Sequence, residues 1–89
     1  MGLTKERRKE KYDFGKYAGW ANWATWHLWL CVTNEEFAYR KLREMERFDP
    51  MEIWSIYKSI PYTKGTWDMK KFINWDEIEE AWKEIKEED

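Results

Sequence analysis

The sequence predicts a small all-α domain: four helices around a Trp-rich central helix, with a charged flexible N-terminal arm. Three observations carry that prediction. Four tryptophans, Trp20, Trp23, Trp26 and Trp29, recur every third residue in a segment that is apolar on most sides. Three later segments place apolar residues at helical spacing behind good helix-start signals. No period-two alternation is sustained long enough to build a sheet. With 89 residues the chain is one domain, divided here as a basic arm over 1–16 and a helical domain over 17–89.

The arm, MGLTKERRKEKYDFGK, is mostly charged and has no apolar stripe before Tyr12. It is expected to be frayed and to dock, if at all, through Tyr12, Phe14 and Tyr17. Asn22 is a good N-cap for a first helix running to about Thr33. A helix apolar on most sides belongs in the middle of a fold. Trp23, Trp26 and Leu30 share one face of it and are expected in the core. Asn34 is expected to cap a second helix, with Glu35 and Glu36 suiting its positive end. Ala38, Leu42, Met45 and Phe48 form its stripe, and its end is expected near Phe48.

Asp49-Pro50 starts the third helix, an N-cap followed by proline at the first helical position. Ile53, Ile56, Tyr57 and Ile60 are its buried stripe, Trp54 lies at the border, and Pro61 ends it. Residues 61–65 read as a loop and 66–72 as a short helical turn, favoured over a short strand. Asn74 caps the last helix with Glu77 at the third position. Trp75, Ile78, Trp82 and Ile85 line one side of that helix, and Glu79 and Lys83 can pair across one turn. The expected core is Trp23, Trp26, Leu30, Leu42, Ile56, Ile78 and Trp82.

Composition narrows the function. The eight Trp side chains each bring about 150–250 Å² of area to bury. Trp20, Trp54 and Trp67 are expected to stay partly exposed and to mark an interface, with a partner or in a homodimer. No apolar stretch approaches the ~20 residues of a membrane span, and no apolar segment follows the N-terminal basic residues as in a secretory signal. A cytoplasmic protein is therefore expected. The lack of Gln, with many Glu and Lys, is a bias found in thermophile proteins.

Net charge is −2 but unevenly spread. Residues 1–20 carry six basic and three acidic groups, and residues 74–89 carry eight acidic and two basic. The basic arm suggests one binding mode. Lys5, Arg7, Arg8, Lys9, Lys11 and Lys16 suit phosphates, while Tyr12 and Phe14 suit stacking on bases. Arg40, Lys41, Arg43 and Arg47 would extend that patch. The pI near 5.5 and the lack of a basic recognition helix weigh against nucleic acid.

Catalytic signals are sparse. Cys31 is the only cysteine, so no intramolecular disulfide forms. His27, the only histidine, sits one helical turn before it, a spacing that can activate a thiolate but more often packs in an apolar helix. One His and one Cys do not make a zinc site. Asp76, Glu77, Glu79 and Glu80 read as a solvated helix face rather than an acid–base pair. The four glycines are scattered and form no phosphate loop. No enzyme, metal or cofactor is expected.

The segment Asn22-Trp23-Ala24-Thr25-Trp26-His27-Leu28-Trp29-Leu30-Cys31-Val32-Thr33-Asn34-Glu35-Glu36 resembles a pattern found in small uncharacterised proteins of phages, archaeal viruses and plasmids, roughly N-Y-x-T-W-N-V-x-L-W-I-x-N-D-E. Asn22, Thr25, Trp26, Leu30, Asn34 and Glu36 fit it directly. Cys31 stands where the pattern has a second Trp, and His27 where it has Asn. Ile73-Asn74-Trp75-Asp76-Glu77-Ile78 is similar to the closing V-N-W-x-E-I-A of the same proteins. The resemblance implies a mobile-element origin and an all-α fold; it does not imply an activity. It favours an accessory protein that binds a host or viral protein, a defence component among them. Trp20, Trp54, Trp67, Glu79 and Glu80 are its expected partner-binding residues, with nucleic-acid binding through the arm as the alternative.

Overall fold

The structure is a computed structural model that describes residues 16–87. The expected arm, save Lys16, lies outside the described residues. Among the described residues the elements are α1 (Trp23–Asn34), α2 (Glu36–Glu44), α3 (Pro50–Lys58), a 3-10 segment (Pro61–Phe72) and α4 (Trp75–Glu87). No β-strand occurs among them. The all-α class is thus as the sequence predicts. α1 packs against every other element and is the central helix.

Local chemistry places the helix starts. The Asn22 side chain accepts from Thr25 N at 2.8 Å and caps α1. The Asp49 side chain accepts from Met51 N and Glu52 N, and Pro50 opens α3. Asn74 Oδ1 accepts from Glu77 N at 3.2 Å at the head of α4. Each cap satisfies N–H groups that have no partner inside the helix.

The inner face of α1 differs from the expected one. Its buried residues are Ala24, Thr25, Leu28, Cys31 and Val32. Trp23 and Trp26 are half-buried and Leu30 is 45 % exposed, so these three are not the core. The reason is geometric. Three residues turn a helix by about 300°, so a strict three-residue repeat walks backward around it by about 60° per step. Four Trp at that spacing cannot all face one way. The small Ala24 and Thr25 let neighbouring helices approach where Trp would hold them off. Leu42, Ile56, Ile78 and Trp82 are buried as expected.

Four boundaries or placements also differ. Asn34 is the last residue of α1, and Glu35 precedes α2 without a side-chain cap bond. α2 ends at Glu44, short of Phe48, because α4 completes its last turn. Trp82 Nε1 donates to Leu42 O at 2.9 Å, and Lys86 Nζ donates to Arg43 O. These satisfy carbonyls left open at a helix end. Residues 61–72 form one 3-10 stretch, kinked at Thr66, rather than a loop and a turn. Trp54 is buried, stacked on Tyr57 at 5.0 Å, rather than exposed.

The heads of α1 and α4 are joined by side chains. Asn22 Nδ2 donates to Phe72 O at 2.7 Å, and Thr25 Oγ1 donates to Asn22 Oδ1 at 2.7 Å. Thr25 Oγ1 also accepts from Asn74 N at 2.9 Å. Glu77 Oε1 accepts from Ala21 N at 2.7 Å. The Glu77 side chain therefore bonds the start of α1 and does not reach back to Asn74.

Truncating α1 on its two sides separates the faces. Leu28→Ala is expected to cost about 2–5 kcal/mol in urea unfolding, as a buried deletion does. Leu30→Ala is expected to cost less than about 1 kcal/mol, as a largely exposed change does. The reverse order would mean that the Leu30 side faces the core.

Candidate functional site

Two surface features and one His–Cys pair hold the chemistry. The first feature is a groove between α1, α2 and α4, with a volume of about 640 Å³. Its aromatic wall is Trp20, Trp29 and Tyr39, and its acidic wall is Glu77, Glu80 and Glu84. A tight turn presents Trp20. Tyr17 and Trp20 exchange two backbone hydrogen bonds of 2.9 and 2.8 Å. Ala18 and Gly19 between them have φ of 52° and 89°, the positive values of the type I′ hairpin turn. Trp20 and Trp29 face each other at a centroid distance of 6.4 Å and an angle of 44°. On α4 the three carboxylates lie at i, i+3 and i+7, a spacing that keeps them on one side.

The second feature is the outward face of α1. Trp26 packs on Tyr17 at 4.8 Å and lies 6.3 Å from Trp23. Leu30 continues this face at 45 % exposure, and Tyr17 is 44 % exposed. Neighbouring exposed aromatic and aliphatic groups of this kind suit contact with another protein.

The pair is His27, half-buried, and Cys31, buried. Sγ lies 3.5 Å from Nε2, as the one-turn spacing predicts. The imidazole stacks on Trp23 at 4.4 Å and meets Tyr57 edge-on at 6.0 Å. Burial pushes the Cys31 thiol above its ordinary value, and the Glu35 carboxylate adds to the rise. A hydrogen bond with Tyr62 counters part of it. A reactive thiolate needs the opposite environment, exposed and electropositive. The pair is thus a packing contact and not an activated thiolate. Among the described residues no three His, Cys, Asp or Glu side chains converge as a metal site would need.

The expected partner residues are scattered. Trp20 and Glu80 line the groove. Glu79 points away from it and pairs with Lys83 at 3.7 Å. Trp67 is half-buried, bonds Thr63 through its Nε1 and lies under Lys58. Trp54 is in the core and presents little surface to a partner. Lys16 is exposed, while Lys5, Arg7, Arg8, Lys9, Lys11, Tyr12 and Phe14 lie outside the described residues. Of the helical cations, Arg40 pairs with Glu36 and Arg43 lies over the Tyr39 ring. Trp29, Tyr39 and Glu84 were not expected as a site. Only Glu84 left a sequence signal, one turn beyond Glu80.

Compared with protein-family models, curated proteins and solved structures, the chain matches none. No helix among the described residues is long and apolar enough to cross a membrane.

The thiol environment gives a direct expectation. In the folded protein Cys31 should alkylate with iodoacetamide at pH 7.5 at least about tenfold slower than in urea, and accelerate only above the ordinary thiol range. Alkylation at the unfolded rate would contradict the buried thiol.

Proposed function

We propose that this is a non-enzymatic binding protein whose target is another protein. It acts inside a host cell as an accessory product of a virus or other mobile element, modulating a host component such as a defence protein. The outward face of α1 carries this reading: Tyr17 against Trp26, with Leu30 beside them at 45 % exposure. The inner face of the same helix is complete without those side chains, so their bulk is not needed for the core. The mobile-element origin rests on the resemblance of residues 22–36 and 73–78. The polar members of that pattern, Asn22, Thr25, Asn74 and Glu77, join α1 to α4. They therefore support a shared fold rather than a shared chemistry. The His27–Cys31 pair, with its raised thiol, supports a role without catalysis.

The test is affinity purification from host cells with wild type and Leu30→Glu as baits. A specific partner should co-purify with wild type and fall by at least about tenfold with the variant, at an unchanged melting profile. Equal recovery would remove the outward face from the interface. Sedimentation would reveal a homodimer as a concentration-dependent mass. Saturable, salt-sensitive quenching of Trp fluorescence by DNA would transfer the function to nucleic acid.

A further inference from the structure

We infer that the groove between α1, α2 and α4 is a docking site for an extended, basic segment of a partner protein. The segment presents two cationic side chains on alternate residues. This rests on the proposal that the target is a protein, and it names the chemistry at a site separate from the outward face of α1.

The groove's two walls select the occupant together. Trp20 and Trp29 line the groove with their rings tilted at 44°, 6.4 Å between centroids. A cation seated in the groove against either ring would lie within the ~6 Å over which a ring face attracts positive charge. Tyr39 already carries the Arg43 guanidinium at 5.9 Å. Trp20 and Trp29 carry no such cation among the described residues. Across from them, Glu80 and Glu84 are exposed and unpaired among the described residues. The basic residues of their own helix are engaged elsewhere. Lys83 is with Glu79 at 3.7 Å, and Lys86 bonds Arg43 O over the Trp82 ring. The third carboxylate, Glu77, already accepts from Ala21 N. The available negative charge is therefore Glu80 and Glu84, facing rings that favour a cation.

Spacing gives the segment its form. Glu84 lies four residue steps beyond Glu80 along α4, a rise of about 6 Å. Alternate residues of an extended chain are about 6.6 Å apart and point the same way. A cationic pair at i and i+2 therefore matches the two carboxylates. The groove volume of about 640 Å³ suits a short segment. An anionic ligand such as a nucleic-acid backbone would meet these carboxylates unfavourably.

The test is calorimetric titration at low ionic strength with acetyl-Gly-Arg-Ser-Arg-Gly-amide and its citrulline counterpart, which keeps the shape and removes the charge. The arginine peptide should bind saturably and the citrulline peptide should not. The double variant Glu80→Gln/Glu84→Gln should weaken binding by at least about tenfold, since both changes lie on the exposed side of α4. Trp20→Leu, with both carboxylates intact and the melting profile checked, should weaken it by about fivefold or more. Unchanged affinity in Trp20→Leu would reduce the effect to general surface charge and overturn the proposal. So would equal binding of the citrulline peptide, or no saturable binding at all. If the peptide fails while Leu30→Glu still loses a partner, the protein-binding function stands and the groove is not its site.

Discussion

The N-termini of α1 and α4 meet, and the hydrogen-bonded joint between them organises the rest of the molecule. Two helix starts side by side bring together two partial positive charges and two sets of unsatisfied N–H groups. Asn22, Thr25, Asn74 and Glu77 answer both problems. Asn22 caps its own helix and also holds Phe72 O, just ahead of α4. Thr25 bridges from inside α1, donating to Asn22 and accepting from the Asn74 backbone. Glu77 brings a negative charge to the place where both dipoles need one and takes the Ala21 N–H. Asn22 and Thr25 are buried and no buried side-chain polar atom is left without a partner among the described residues. A buried network of this kind stabilises only when every member is satisfied.

That joint sets the rotation of α1. With Thr25 held toward α4, the helix must turn Ala24, Leu28, Cys31 and Val32 inward. The Trp residues are left on its flanks and outer side. Trp29 then closes one side of a groove whose other side is the acidic face of α4, and Trp26 and Leu30 face outward. Both surface features thus follow from one local constraint. The same rotation sets His27 edge-on to Tyr57 and buries Cys31 in surroundings that keep the thiol protonated.

Where the structural cause is local, the sequence reveals it. The caps Asn22, Asp49 and Asn74 act on N–H groups two or three residues away, so their residue types suffice to place three helix starts. The stripes of α3 and α4 are apolar on one side, and their buried faces follow directly except for Trp54, which joins the buried face of α3. α1 is apolar nearly all round, so periodicity cannot choose its inner face. That choice is made by Asn74 and Phe72, some 50 positions away along the chain. The end of α2 depends on Trp82 and Lys86, at a similar distance. The groove was only partly legible. Trp20 and Glu80 could be named as interface candidates, but Tyr39 and Trp29 join them only through helix packing.

The central claim is that the Thr25 hydroxyl, more than its methyl group, holds α1 to α4. Comparing the urea unfolding of Thr25→Val with Thr25→Ser tests it most directly. Valine keeps the shape and strands the Asn74 N–H. Serine keeps both hydrogen bonds and loses one methyl. The joint predicts that the valine variant is the less stable by about 1 kcal/mol or more. A valine variant as stable as the serine variant, or more so, would show that packing rather than the hydrogen-bonded joint orients the central helix.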